Sequence, residues 1–199
     1  MRALVVGGGI GGLATAIAVR HAGHDVVVFE RAQALAAVGA GIALSPNAMA
    51  ALERLGIADE LRRRGHAPAR ALGLNRRGQV LLEVPYAARG WEMLGVHRAD
   101  LQETLLTALP EGSVRLGHAC SGFEQTHGGV RVELEDASSE EGDVLVGADG
   151  LHSVVRRGLF GDSELRYSGY LAWRAVTERL PAVPEDTFSE SWGPVRASA

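Results

Sequence analysis

The stretch MRALVVGGGIGGLATAIAVRHAGHDVVVFE, residues 1–30, decides the fold. Residues 2–6 are a short apolar run that reads as a buried strand. Residues 7–12 are GGGIGG. Residues 13–20 read as a helix, and residues 25–29 as a second strand ending on Glu30. Gly7, Gly9 and Gly12 fill a G-x-G-x-x-G spacing, and the acid stands 18 residues after Gly12. The surroundings that give this pattern meaning are present: a strand before it, a helix after it, and an acid at the tip of the next strand.

Each part has a physical reason. Gly7 permits the tight turn off the strand, Gly9 has no side chain to obstruct a pyrophosphate, and Gly12 lets the helix pack closely. The helix N-terminus offers unpaired N–H groups and a partial positive charge to phosphates. Glu30 can accept hydrogen bonds from a ribose diol and would repel a 2′-phosphate, which favours FAD or NAD over NADP as the bound dinucleotide. A glycine triplet alone would also serve a plain βα turn; the complete βαβ unit around it points to dinucleotide binding.

The chain has 199 residues, the length of one large domain or two small ones. Hydrophobic residues at 46% support a core, and 22% charged residues suit a globular protein. All 20 basic residues are arginine, which excludes chemistry that needs a lysine, such as a Walker-A phosphate site or a Schiff base. The net charge of −4 leaves no electrostatic footprint for nucleic acid. Cys120 is the only cysteine, so no intrachain disulfide or multi-cysteine zinc site can form; by itself it reads as a small, partly buried hydrophobe. His21, His24 and Asp25 lie at the end of the first helix, where an imidazolium suits the dipole, and no metal site is expected there. No apolar run approaches the roughly 18 residues of a membrane span, and glycines interrupt the N-terminus where a signal peptide needs a continuous apolar stretch. The chain therefore reads as cytoplasmic.

Downstream, residues 31–38 read as a short helix or loop. Ser45 and Pro46 open a helix that runs to about Leu55 and stops at Gly56. A second short helix, 58–64, ends in Arg62, Arg63 and Arg64, a solvated helix end with phosphate binding as the lesser alternative. Residues 71–74 and 79–84 flank NRRG and read as a β-hairpin. Residues 86–95 are irregular, and VHRADL at 96–101 opens a helix to about Leu109. Residues 114–118, 120–125 and 130–135 alternate as strands, and 136–142 reads as an acidic surface loop. Residues 143–146 form a buried strand delivering Gly147, Ala148, Asp149 and Gly150, with a helix from near Ser153. Residues 167–177 read as a strand, and 180–184 as a proline-broken connection.

Four stretches now stand in order: the loop 7–12 with Glu30, residues 39–47, HRADL at 97–101, and GADGLHSVVR at 147–156. Together with GYLAWR at 169–174 they resemble the single-component FAD-dependent aromatic hydroxylases, most closely the salicylate-hydroxylase-like branch. The resemblance covers nearly the whole chain. It implies an α/β fold: a Rossmann-like FAD-binding βαβ sheet with an antiparallel β insertion and the start of a mixed-sheet substrate domain. The expected boundaries are 1–68 with 95–160 for the FAD-binding domain, 69–94 for the hairpin insertion and 161–199 for the substrate domain.

The resemblance also implies roles. Gly7, Gly9, Gly11 and Gly12 would hold the FAD pyrophosphate, and Glu30 the adenosine ribose with Arg31 beside it. Gly41 and Ile42 would lie toward the flavin. Arg98 would reach the phosphate or ribityl region, where an arginine fork suits the chemistry. The backbone around Cys120 would flank the adenine. Asp149 heads a second fingerprint that supports FAD and contributes to NAD(P)H use; an N-cap for the following helix is its structural alternative. The implied reaction is hydroxylation of a small aromatic ring. NADH or NADPH reduces the flavin, O2 adds at C4a, and the hydroperoxide transfers OH, so no protein nucleophile is needed. Some relatives place a proton-transfer residue where this chain has Ala43. Tyr170, Trp173 and Arg174 face either substrate or an ordinary strand surface.

The chain departs from that family after Asp149. A third motif, Gly-Asp followed by small residues and His, is absent from residues 150–199, so the chain reads as an N-terminal portion. The expectation is weak FAD binding and poor hydroxylation by the 199 residues alone. Two other classes share these residues: a flavin-dependent reductase or dehydrogenase, and a non-catalytic FAD-binding remnant.

Overall fold

The computed structural model describes residues 1–35, 40–162, 164–177, 184 and 186–193. In chain order its elements are β1 (Arg2–Val6), α1 (Ile10–His21), β2 (Asp25–Glu30), β3 (Gly41–Leu44), α2 (Pro46–Arg54) and α3 (Ala58–Arg64). Next come β4 (Arg70–Asn75), β5 (Val80–Pro85), a 3-10 turn (Ala87–Arg89), β6 (Leu94–His97), α4 (Arg98–Thr107) and β7 (Val114–Leu116). The last are β8 (Cys120–Thr126), β9 (Gly129–Leu134), β10 (Ser139–Gly142), β11 (Val144–Gly147), α5 (Val154–Phe160) and β12 (Thr187–Trp192). They form two compact units, residues 1–38 with 98–173 and residues 39–97 with 174–199.

The first unit is built on a parallel sheet in the order β11-β1-β2-β7. A parallel strand is covered on both faces, so it must be apolar throughout; Ala3, Leu4 and Val5 are fully buried. Alternation along β1 sends Leu4 and Val6 to one face. There they join Phe29, Val155 of α5, and Cys120, Val130, Val132 and Leu134 of the antiparallel sheet β10-β9-β8 in one core. α1 packs on β1, β2 and α4, with Leu13, Ala16, Ile17, Leu101 and Leu105 buried. The expected return of the chain to the nucleotide sheet is β11, which pairs with β1 on the side away from β2.

An ionic tie joins the two sheets of this unit. Arg2 on β1 and Arg115 on β7 reach Glu140 on β10 at 2.7 and 2.5 Å. The Arg115 hydrogen bond, helped by Arg2, holds the Glu140 carboxyl below its ordinary value of 4.5, against burial, which raises it. A carboxylate lowered in the folded state stabilises the fold above its unfolded pKa, and that contribution is lost as pH falls through the folded value. Melting temperatures of the wild type and Glu140→Gln are therefore expected to differ at neutral pH and to converge as pH drops below 4.5. A gap that stays constant with pH would rule this tie out as the cause.

In the second unit β3 runs antiparallel to β6, while β12, β4 and β5 form a mixed sheet, parallel between β12 and β4 and antiparallel between β4 and β5. The Trp192 ring lies on Gly73, where a Cβ would stand 2.9 Å from it. The arginine cluster of α3 is taken up by acids. Arg62 pairs with Glu92, Glu53 and Asp59, while Arg63 and Arg64 pair with Glu60. The Glu92 bond in particular raises the Arg62 pKa. That leaves the phosphate alternative without support.

Several elements differ from the sequence reading. Val96 and His97 do not open a helix; they pair with Ile42 and Gly41, and the helix starts at Arg98. Residues 40–68 fall in the second unit, because β3 finds its ladder partner in β6 and α3 packs on β6. Residues 139–142 are a strand, because β9 supplies a ladder for a sequence with little strand propensity of its own. Residues 167–177 carry no strand: no ladder forms, and Tyr170, Leu171 and Trp173 are 74%, 76% and 94% exposed. The strand of the mixed sheet comes later, at β12. Ser45 precedes α2 as expected, but its hydroxyl donates to Asn47 Oδ1 instead of capping an amide. Residues 180–183 of the expected connection, and 36–38 of the segment after Glu30, lie outside the described residues.

Candidate functional site

At the carboxyl ends of β1, β2 and β11, backbone contacts dictate two of the glycines. Gly7 has φ +109°, and a Cβ on it would lie 2.3 Å from the Ala148 carbonyl oxygen. A Cβ on Gly12 would lie 1.8 Å from the Gly7 carbonyl oxygen. Gly9 and Gly11 are different: a Cβ on either meets nothing within 4 Å. They line open space at the start of α1. Gly9 is the N-cap, no side chain caps the helix, and no acid stands in its first turn. Unpaired first-turn amides and the positive end of the dipole therefore face open space that no side chain on Gly9 or Gly11 fills. Amide donors, room and no opposing carboxylate in that turn fit a dinucleotide pyrophosphate.

Glu30 closes the other end of the loop. Its Oε2 accepts from the Gly8 amide at 2.6 Å and its Oε1 from the Ala32 amide at 2.9 Å. Each oxygen keeps a lone pair for a further donor such as a ribose hydroxyl. The chain leading to Cys120 runs alongside: Gly117 N–H donates to the Ala32 carbonyl and His118 N–H to the Glu30 carbonyl, both at 2.9 Å. Cys120 itself is buried, its thiol donates to the Gly122 carbonyl at 3.3 Å, and burial pushes its pKa up. Arg31 is exposed beside Glu30.

Asp149 sits in the turn between β11 and α5. Its carboxylate accepts from Ser153 Oγ at 2.6 Å, Val154 N–H at 2.7 Å and Val155 N–H at 3.3 Å. The structural alternative is thus realised: Asp149 and Ser153 together cap α5, Ser153 Oγ accepting from Arg156 N–H. The same turn is stitched to β1 by Ala148 N–H donating to the Val6 carbonyl at 2.7 Å, so Asp149 holds the surface on which Gly7 rests.

Arg98 is the first residue of α4 and is exposed, and its side chain has no hydrogen bond or ion pair among the described residues. One turn along the same face, Gln102 donates to the Gly8 carbonyl at 3.0 Å. Gln102 stands at the i, i+4 spacing from Arg98, but nothing in the local sequence points to its bond with Gly8. Gly41 and Ile42 stand on β3 in the second unit, opposite His97 and Val96. Ala43, opposite Gly95, is exposed. Tyr170, Trp173 and Arg174 are exposed and form no enclosure among the described residues.

A parallel βαβ sheet with an open glycine cradle under an uncapped helix end, and an acid at the next strand tip, defines a dinucleotide-binding domain. The model of the FAD binding domain family matches residues 1–170, and the chain belongs to that family, that of the single-component FAD-dependent monooxygenases of the aromatic-hydroxylase type. It is 41% identical over 195 residues to an aurachin C monooxygenase/isomerase of Stigmatella aurantiaca, covering 96% of this chain and 51% of that protein. It is 39% identical over 208 residues to a 3-amino-4-hydroxybenzoate 2-monooxygenase of Streptomyces cremeus, covering 98% and 52%. Klebsiella pneumoniae HpxO complexed with FAD and uric acid superposes with a TM-score of 0.71 at 32% identity, over 79% of this chain and 41% of that one. The chain spans about half the length of the curated relatives it matches.

Proposed function

We infer that this chain supplies the FAD-holding part of a monooxygenase that hydroxylates a small aromatic or heteroaromatic ring with NADH or NADPH and O2. The observation that carries the reading is the open cradle at Gly9 and Gly11 beneath the bare N-terminus of α1. Bound FAD supplies the redox chemistry, taking a hydride from the nicotinamide and activating O2. The chain's own residues bind and orient. The loop of Gly7, Gly9, Gly11 and Gly12 holds the pyrophosphate, Glu30 the ribose diol with Arg31 beside it, and the backbone near Cys120 the adenine. Arg98, a guanidinium without a carboxylate partner among the described residues, takes the phosphate or ribityl region. Asp149 braces the turn behind Gly7. Gly41 and Ile42 are assigned to the flavin end on the family resemblance. The names of the relatives, among them monooxygenases of an aminohydroxybenzoate and of 6-hydroxynicotinate, support a ring substrate.

The test begins with FAD titrated into the purified chain and followed by flavin fluorescence. Oxygen uptake is then measured with NADH and with NADPH over a panel of phenols and hydroxylated N-heterocycles. The expected result is saturable but weak flavin binding, with low oxygen uptake matched by a product that has gained one oxygen atom. Nicotinamide oxidation without an oxygenated product would identify a reductase instead. Failure to bind flavin would remove the reading altogether.

A further inference from the structure

We propose that Gln102 is a positioning residue for the phosphate loop: it locks the Gly8–Gly9 peptide in the one orientation that presents the Gly9 amide to the cofactor. The inference rests on the dinucleotide reading of the loop. Residues 7–9 are three consecutive glycines, the chain's most freely rotating kind of segment. A peptide between two glycines flips at little steric cost, and a flip would exchange an amide donor for a carbonyl facing the phosphates. Something outside the loop must therefore choose.

Two side chains from different elements make that choice. Glu30 Oε2 accepts from the Gly8 amide at 2.6 Å, so the Gly7–Gly8 peptide has its N–H toward β2. Its carbonyl then points the other way, toward the position where a Gly12 Cβ would strike it at 1.8 Å. Gln102 Nε2 donates to the Gly8 carbonyl at 3.0 Å, so the next peptide has its carbonyl toward α4. In a planar trans peptide the C=O and the following N–H are antiparallel, so the Gly9 N–H points away from α4. The assignment of the glutamine amide is unambiguous, because a carbonyl only accepts and the facing atom must be the NH2. Gly9 is also the N-cap of α1, with φ −75° and ψ 180°, and a Cβ there meets nothing within 4 Å. Its amide is thereby placed to extend the row of first-turn donors. Gln102 is half-buried and belongs to a helix packed on α1, so the clamp is held by the fold and not by a mobile surface side chain.

The test uses the 199-residue chain with Gln102→Leu, which removes the donor, and Gln102→Glu, which keeps the shape but turns an acceptor toward the Gly8 carbonyl. Dissociation constants for FAD, ADP and adenosine are measured alongside the 15N–1H position and hydrogen exchange of the Gly9 amide in the unligated protein. Both variants are expected to weaken FAD and ADP about fivefold, the scale of one neutral hydrogen bond. Adenosine, which does not reach the loop, is expected to bind unchanged, and the Gly9 amide to shift and exchange faster. An unchanged Gly9 amide, or an equal loss for adenosine, overturns the proposal. If the wild type binds neither FAD nor ADP, the dinucleotide reading fails, and the unligated Gly9 amide still decides whether the clamp exists.

Discussion

Gly12→Ala is expected to cost the protein on the order of 3 kcal/mol, while Gly11→Ala, one residue earlier in the same helix, leaves it as stable or more so. The two positions differ in what a methyl group would meet. At Gly12 it would lie 1.8 Å from the Gly7 carbonyl oxygen, a backbone atom that cannot rotate aside, with the Ala148 side chain 3.4 Å away. Either α1 moves off the loop or Gly7 is forced out of its turn, and Gly7 is itself held at φ +109° against Ala148. At Gly11 the methyl would project into open space, and alanine in place of glycine gains up to about 1 kcal/mol of helix propensity. For a chain of this length each kcal/mol moves the melting temperature by about 2–4 °C, so Gly12→Ala should melt about 6–12 °C lower. Cofactor affinity should separate the pair the other way. The Gly11 methyl occupies the cradle of a stable protein, so FAD binding weakens without any loss of fold. Equal melting temperatures for Gly12→Ala and wild type would show that the loop relaxes around a Cβ and that the close approach is not required.

Asp149→Ala is the second large effect, expected at about 2–3 kcal/mol, or a fall of roughly 4–12 °C in melting temperature. One carboxylate serves Ser153 Oγ and the amides of Val154 and Val155, and its removal strands all three at the start of α5. α5 also carries Val155, which is buried in the main core, and Gly158, where a Cβ would stand 2.4 Å from the Phe123 ring. Loosening the cap therefore loosens close packing as well. Asp149→Asn distinguishes bracing from direct contact with a ligand. The amide side chain keeps one acceptor for the helix amides and can exchange donor and acceptor roles with the Ser153 hydroxyl. If Asp149 acts by holding the turn behind Gly7, Asn should recover most of the melting temperature and of the FAD affinity together. If FAD affinity stays low while the melting temperature recovers, the carboxylate touches the cofactor itself.

The site divides between what local sequence carries and what it does not. Gly7, Gly9, Gly12 and Glu30 are close in the chain, and the roles read for the glycines follow from a strand and a helix joined by a fixed spacing. The structure adds why each is different: Gly7 and Gly12 answer to backbone atoms, while Gly9 and Gly11 answer to space. Gln102 was passed over because its partner lies 94 residues away, and a half-polar helix face announces no such bond. Glu30 was expected to await a ribose, yet it already holds the Gly8 and Ala32 amides.

Where the energy that forms an element is internal to it, the sequence by itself was sufficient. The buried run of β1, the helix after the glycines, the hairpin of β4 and β5, and the stop at Gly56 each depend on burial, spacing or turn chemistry within a few residues. Where the deciding hydrogen bonds come from a distant strand, only the tertiary structure decided. Val96 and His97 became a strand because β3 offered a ladder, and Ser139–Gly142 because β9 did. The aromatic stretch from Tyr167, with better strand propensity than either, formed no ladder. A strand's backbone donors and acceptors are satisfied by its neighbour and not by itself, so propensity proposes a strand and the presence of a partner settles it.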